Sequence, residues 1–112
     1  MAQYSRLLSR GDLSGLLEMF SDDAVIYEPF SKIGAAKGKQ EIEPFLQVMI
    51  SSVKGSKISY TIEKIDYDHR VSAVWTFEKG GRIRMRFIIE FDAGNHKIKT
   101  LNIEKHVTQA KT

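Results

Sequence analysis

Acid–base chemistry in this chain of 112 residues would depend first on the carboxylate of Glu28. Glu28 directly follows the apolar segment Val25 to Tyr27 and directly precedes Pro29. Apolar surroundings raise the pKa of a carboxyl group and make it a better general base near neutral pH. A solvated carboxylate at the end of a strand fits the same position. The residue pattern leaves both interpretations open.

The three histidines are weaker candidates for chemistry. His69, His96 and His106 lack the close spacing by which one helix presents two metal ligands, so we expect no metal site. Two of them, His69 and His96, fall in predicted turns. His106 either meets Glu28 as an acid or orienting group, or lies in solvent near the chain end.

Three arginines, Arg82, Arg84 and Arg86, alternate along one predicted strand and therefore share one of its faces. Such a row can bind phosphate or nucleic acid. It can also form ion pairs with Glu63 or Glu78, and we favour this interpretation. The net charge is only +3, because residues 57–112 hold 11 lysines and arginines against 7 acids, and residues 1–56 hold 6 against 7. We therefore expect no nucleic-acid partner.

The composition indicates one folded domain over residues 1–112. Apolar residues make up 42% of the chain and charged residues 28%, and a chain of this length buries roughly two thirds of its unfolded surface. Cysteine is absent, which excludes disulfides and thiolate nucleophiles. No apolar run reaches the ~20 residues that a membrane-spanning helix needs. We expect a cytoplasmic protein with no cofactor and no membrane partner.

Apolar spacing predicts three helices in the first half of the chain. A short first helix ends before Gly11, and a second helix has Asp12 as its N-cap and ends near Ser21. The third helix should begin near Glu41 to Pro44, because proline lacks the amide that an interior turn needs. A short strand, Ala24 to Ile26, lies between the second and third helices. The three apolar stripes are Tyr4, Leu7 and Leu8; Leu13, Leu16, Leu17 and Phe20; and Ile42, Phe45, Leu46, Met49 and Val53.

In the second half the apolar period changes to two, which predicts half-buried antiparallel strands. The paired glycines after Lys79 predict a tight hairpin. Ile98 is out of phase with Leu101, which predicts a β-bulge near Lys99 or Thr100. Three N-terminal helices followed by this meander predict an α+β fold. We expect a cone-shaped roll, in which a curved antiparallel sheet wraps the long helix and leaves one open mouth.

The N-terminal half also carries a recognisable pattern. It comprises the runs Gly11-Asp12-Leu13, Ser21-Asp22-Asp23-Ala24-Val25 and Tyr27-Glu28-Pro29-Phe30, followed by Gly38, Ile42 and Phe45. This pattern resembles the ketosteroid isomerase and nuclear transport factor 2-like superfamily, which includes SnoaL-like polyketide cyclases. The resemblance implies the same cone-shaped, cystatin-like roll and a homodimer. It says little about function, because the fold hosts several unrelated enzymes and non-catalytic binders.

The resemblance further implies a set of site residues. Tyr4 stands where ketosteroid isomerases carry an oxyanion-binding tyrosine, and Glu28 stands at the position of their catalytic base. Phe87 replaces the aspartic acid that donates a second hydrogen bond, while Phe20 and Leu46 replace supporting tyrosines of some members. Such a site uses one base and two donors. This chain therefore lacks one of the two expected donors.

Two functions follow as hypotheses. The first is an isomerase or cyclase that transfers a proton on an apolar or aromatic carbonyl compound, with Glu28 as general base and Tyr4 polarising the carbonyl group. The second is a non-catalytic pocket for an apolar ligand, which the apolar residues at polar catalytic positions favour. In both cases the expected substrate-binding side chains are Phe30, Phe45, Tyr60, Trp75, Met85 and Phe87.

Overall fold

A computed structural model describes residues 2–66 and 69–105 of the chain. It has three helices, which are α1 (Ala2–Arg10), α2 (Leu13–Glu18) and α3 (Gly38–Val53). Its six strands are β1 (Phe20–Tyr27), β2 (Ala35–Lys37), β3 (Lys57–Asp66), β4 (Arg70–Glu78), β5 (Arg82–Phe91) and β6 (Ile98–Lys105). None of the helices in these ranges is long and apolar enough to cross a lipid bilayer.

The six strands form one curved, mixed sheet in the order β2-β1-β6-β5-β4-β3. Strands β1 and β6 run parallel, and the other neighbours run antiparallel. The predicted α+β roll is confirmed, but the expectation of a wholly antiparallel sheet is wrong. The chain between β1 and β6 contains α3 and the β3–β5 meander, a connection long enough to allow parallel pairing.

The element boundaries in the N-terminal half differ from the prediction. Phe20 opens β1, where it pairs with Ile98, instead of closing the second helix. Strand β2 was not predicted, because three residues are too few to show a period. Helix α3 begins at Gly38, ahead of the predicted start, and Pro44 lies inside it. The Glu41 carboxylate accepts a hydrogen bond from the Lys37 amide at 2.8 Å and so satisfies the backbone where the helix begins.

Several local predictions are confirmed. The β5–β6 register slips by one residue at Lys99, as the phase of the apolar residues indicated. Asp12 caps α2 by accepting a hydrogen bond from the Gly15 amide at 2.9 Å. Gly11 ends the first helix with φ +70°, and Gly80 in the β4–β5 hairpin has φ +69°. Both values lie in the left-handed region that glycine adopts without a steric cost. His106 lies outside the described residues.

The helices pack on the concave face of the sheet and bury a core there. Its aliphatic part comes from all three helices, with Leu8 of α1 and Leu16 of α2 included, and mainly from β1, β5 and β6 of the sheet. The largest side chains with essentially no exposed surface are aromatic, and they are Tyr4, Phe20, Trp75 and Phe87. The interior predicted to be an open cone is therefore rich in aromatic rings.

Candidate ligand-binding site

Five aromatic side chains meet on the concave face, and we call them the aromatic cluster: Tyr4, Tyr60, Trp75, Phe77 and Phe87. Trp75 stacks on Tyr60 and on Phe87, with ring centroids 5.0 and 5.1 Å apart. Tyr4 reaches in from α1 and meets the Trp75 ring edge-on at 5.6 Å. The β3–β4 register explains part of this arrangement, because it places Tyr60 directly opposite Trp75. The protein's own rings thus occupy the place of the predicted pocket.

The Tyr4 hydroxyl is a neutral donor inside this cluster. The side chain is fully buried, and its hydroxyl donates to Met49 Sδ at 3.4 Å. Burial raises the pKa of Tyr4, so the hydroxyl keeps its proton throughout the physiological pH range. A thioether is a weak acceptor. A carbonyl oxygen would therefore be a stronger hydrogen-bond acceptor for the Tyr4 hydroxyl than Met49 Sδ is.

Trp75 brings a second donor to the same interior. Its ring is fully buried, and the described residues supply no acceptor for its Nε1–H group. A buried donor without an acceptor costs about 1–3 kcal/mol. The aromatic cluster therefore contains two fully buried donors, the weakly paired Tyr4 hydroxyl and the unpaired Trp75 Nε1–H group. This arrangement can hold an acceptor oxygen of a neutral molecule.

Glu28 is engaged elsewhere, in the loop between β1 and β2. Its half-exposed carboxylate accepts hydrogen bonds from Phe30 N at 2.6 Å, Ser31 N at 2.9 Å and Ser31 Oγ at 2.6 Å. Partial desolvation opposes ionisation, but these three hydrogen bonds outweigh it and lower the pKa of Glu28. A general base near neutral pH needs a raised pKa. The prediction that apolar surroundings raise the pKa of Glu28 is wrong, because the carboxylate caps its own loop.

This capping role gives Glu28→Gln a pH-dependent effect on stability. We expect the variant to lose about 1 kcal/mol of unfolding free energy at pH 7, the typical value of such a cap. The folded-state pKa lies below the unfolded value, so ionised Glu28 stabilises the fold above the unfolded pKa, and this contribution is lost as the pH falls through the folded pKa. Urea unfolding should therefore show the difference from wild type shrinking between pH 7 and about pH 3.5. An equal difference at both pH values would contradict the cap.

The other predicted substrate contacts fall into two groups. Phe30 is 55% exposed on the β1–β2 loop, so its placement in the pocket is wrong. The loop that the Glu28 carboxylate caps holds Phe30 at the surface instead. The remaining predicted residues lie in the aromatic cluster or pack against the core, and their contact with a ligand stays a prediction. The buried ones are Trp75 and Phe87, and the half-buried ones are Phe45, Tyr60 and Met85.

Met49 was not predicted as a site residue. The apolar stripe of α3 placed it in the core, but helical spacing carries no signal for a sulfur–hydroxyl contact with a residue 45 positions away.

Within residues 2–66 and 69–105, no group of three histidine or acidic side chains is placed to hold a metal ion. A shallow surface depression beside Gln47, Val48, Ser51 and Ser52 lies on α3, outside the aromatic cluster.

The arginine row lies on the opposite side of the sheet, which we call the outer face. Arg86 donates to Glu63 at 2.9 Å from Nε and lies 3.5 Å from Glu104. Arg82 pairs with Glu78 at 3.4 Å. The predicted ion pairs with Glu63 and Glu78 are confirmed. Two of the three arginines are therefore already paired on their own chain.

Comparison with known proteins identifies related sequences and folds. A family model described as the SnoaL-like domain matches residues 1–100. A search of curated protein sequences finds no match.

Solved structures share the fold at low sequence identity. SalBIII, described as an epoxide hydrolase/cyclase-like enzyme in pyran ring formation in the polyether salinomycin, is 16% identical, with a TM-score of 0.78 over 95% of this chain and 87% of that chain. A SnoaL-like protein of unknown function from Burkholderia thailandensis is 12% identical, with a TM-score of 0.78 over 95% and 91%. A protein with a cystatin-like fold from Methylobium petroleophilum is 23% identical, with a TM-score of 0.73 over 98% and 75%. These similarities establish the fold alone.

Proposed function

Because this chain belongs to the SnoaL-like domain family, whose fold supports unlike functions, we propose that its concave interior binds a small, neutral, apolar or aromatic molecule without catalysing a reaction on it. One observation carries the proposal. The Tyr4 hydroxyl and the Trp75 Nε1–H group lie in an apolar interior where the described residues offer them no strong acceptor. A ligand with one acceptor oxygen relieves that deficit, and its apolar part packs against the rings.

The absence of an interior base favours binding over catalysis. Among the described residues, the buried polar or charged side chains consist of Ser21 alone, so no carboxylate is buried beside the aromatic cluster. Glu28, the predicted base, caps its own loop. A charged ligand would also find no buried opposite charge in the described part of the chain. The interior therefore favours neutral molecules.

Entry of a ligand requires side chains that can move aside. Met49 covers the Tyr4 hydroxyl and is 8% exposed, and Phe45, Tyr60 and Met85 pack half-buried against the core. Methionine has three rotatable bonds and adapts easily to a changed packing partner. We propose that a ligand displaces Met49 from the Tyr4 hydroxyl and takes its place as acceptor.

Titration of small cyclic ketones, each beside its matched hydrocarbon, tests this function. Trp75 is the only tryptophan, so its fluorescence reports directly on the aromatic cluster. We expect saturable changes with the best ketones. Tyr4→Phe should weaken ketone binding about five- to tenfold, the effect of one neutral hydrogen bond, and should leave hydrocarbon binding unchanged.

Glu28→Gln is the matched control, because it alters a carboxylate outside the cluster, and it should leave both affinities unchanged. Two results would refute the proposal. One is the absence of saturable binding by every compound in the series, and the other is equal ketone affinity in the wild type and in Tyr4→Phe.

We also propose that the outer face pairs with a second copy of the chain. Arg84 and Glu90 point to this face from β5, are half-buried, and make no ion pair with the described residues. They stand six residues apart, about 20 Å along the strand, so they cannot meet within one chain. The apolar Val74 and Ile88 lie between them on the same face. A two-fold axis through this region brings each Arg84 to Glu90 of the other copy.

A further inference from the structure

The loop between β1 and β2, residues 28–34, holds two large apolar side chains in water. Phe30 is 55% exposed and Ile33 is 86% exposed. Lys32 stands between them, is exposed, and forms no ion pair with the described part of the chain. We call these three side chains the loop tip. From its geometry we infer that the loop tip inserts into the surface of a lipid bilayer that carries anionic headgroups.

The loop is built to keep these side chains exposed. The Glu28 carboxylate ties down the Phe30 and Ser31 amides, and Ser31 Oγ accepts a hydrogen bond from Gly34 N at 3.1 Å. The base of the loop is closed by the Glu28 amide, which donates to the Gly34 carbonyl at 3.0 Å. Gly34 has φ +73°, which lets the chain reverse there. These bonds fix the backbone of the loop in a conformation in which Phe30 and Ile33 are exposed.

The same hydrogen bonds prepare the loop to leave water. A backbone amide that enters an apolar medium without a partner costs several kcal/mol. Here the amides of Phe30, Ser31 and Gly34 are bonded within the loop, and Pro29 has no amide hydrogen. Four of the six backbone amides of residues 28–34, including that of Glu28, are therefore bonded within the loop, while those of Lys32 and Ile33 stay free to bond headgroups or water at the bilayer surface.

The size and charge of the loop tip favour a bilayer over a protein partner. Phe30 and Ile33 are only two exposed apolar side chains, far fewer than the roughly 20–30 residues that each partner contributes to a specific protein interface. A bilayer needs no complementary surface, and each apolar side chain inserts independently. Lys32 adds attraction to anionic lipids, and the opposing charge of Glu28 in the same loop is bonded to three donors of residues 30 and 31. The expectation of no membrane partner rested on the missing spanning helix, which a peripheral contact does not require.

Co-sedimentation with vesicles tests the inference. The chain should bind vesicles of phosphatidylcholine with about 30% phosphatidylglycerol more tightly than phosphatidylcholine alone, and salt should weaken this binding. Phe30→Ser combined with Ile33→Ser should lower partitioning about tenfold. Ile83→Ser is the matched control, because Ile83 is 61% exposed on β5, and it should bind as the wild type does.

A second readout locates the contact. Phe30→Trp should be quenched by brominated lipid, while the buried Trp75 of the wild type should not. The inference is overturned if the wild type does not sediment with anionic vesicles, if the double variant binds as well as the wild type, or if Ile83→Ser loses as much. It is also overturned if the double variant instead changes the oligomeric state, since the loop tip would then contact a second copy. Thermal unfolding of the double variant, expected to match the wild type, confirms that it is folded.

Discussion

Trp75→Ala is expected to lower the free energy of unfolding by about 3–5 kcal/mol, the range found when a large buried aromatic side chain is truncated. Trp75 has no exposed surface, and its ring contacts Tyr4, Tyr60, Phe77 and Phe87. Its removal leaves a cavity at the centre of the aromatic cluster. In a domain of this size the midpoint of thermal unfolding should fall by roughly 15 °C or more. Urea unfolding followed by circular dichroism measures the change.

Two comparisons separate this effect from a general loss of apolar surface. Ile83→Ala removes a side chain that is 61% exposed and should cost well under half as much. Added indole should recover part of the stability of Trp75→Ala by filling the cavity, as apolar cavities bind matching rings. If Trp75→Ala proved as stable as Ile83→Ala, the ring could not be the centre of the core.

Arg84→Glu is expected to dissociate the proposed dimer, because it sets two like charges against each other at each end of a partly buried interface. Like-charge contacts of this kind cost several kcal/mol, so the dissociation constant should rise at least about 100-fold. Arg84→Glu combined with Glu90→Arg restores the complementary pairs and should recover the dimer. Sedimentation-velocity ultracentrifugation at several protein concentrations distinguishes the two states.

Arg82→Glu is the matched control for this charge reversal. Arg82 lies on the same strand but already pairs with Glu78 of its own chain, so its reversal should weaken the dimer much less. A wild-type chain that remains monomeric at high concentration would rule out the proposed interface. So would a double variant that stays as dissociated as Arg84→Glu.

The orientation of the Glu28 side chain bears directly on the choice between catalysis and ligand binding. With Glu28 in the interior, the chain would have a base and a donor for proton transfer. With Glu28 bonded to the amides of Phe30 and Ser31, the interior formed by the described residues retains donors and aromatic rings but holds no buried carboxylate. We therefore propose ligand binding instead of catalysis. The Glu28 carboxylate stabilises the backbone of the β1–β2 loop, which carries the loop tip.

The sequence by itself determined much of the architecture. The out-of-phase Ile98 located the bulge at Lys99, Asp12 marked the start of α2, and the alternation of arginines with apolar residues placed Arg82 and Arg86 near Glu78 and Glu63. The bulge, the cap and the shared face of the arginines could be predicted because each depends on backbone period or on capping within a few residues, whereas the Arg86–Glu63 contact also depends on β4 lying between β5 and β3. The same periodicity correctly assigned Trp75 and Phe87 to the apolar face of the sheet.

Only the tertiary structure decided whether that face is hollow or filled. The contacts of Tyr4 with Met49 and Trp75 join α1 to α3 and β4, and no local spacing encodes the distance between residues that far apart in the chain. The direction of the Glu28 side chain depended on a competition between the interior and three donors that the following loop supplies. The Glu28 side chain faces the loop, because three hydrogen-bond donors stabilise an ionised carboxylate at the surface, whereas apolar surroundings in the core would destabilise it.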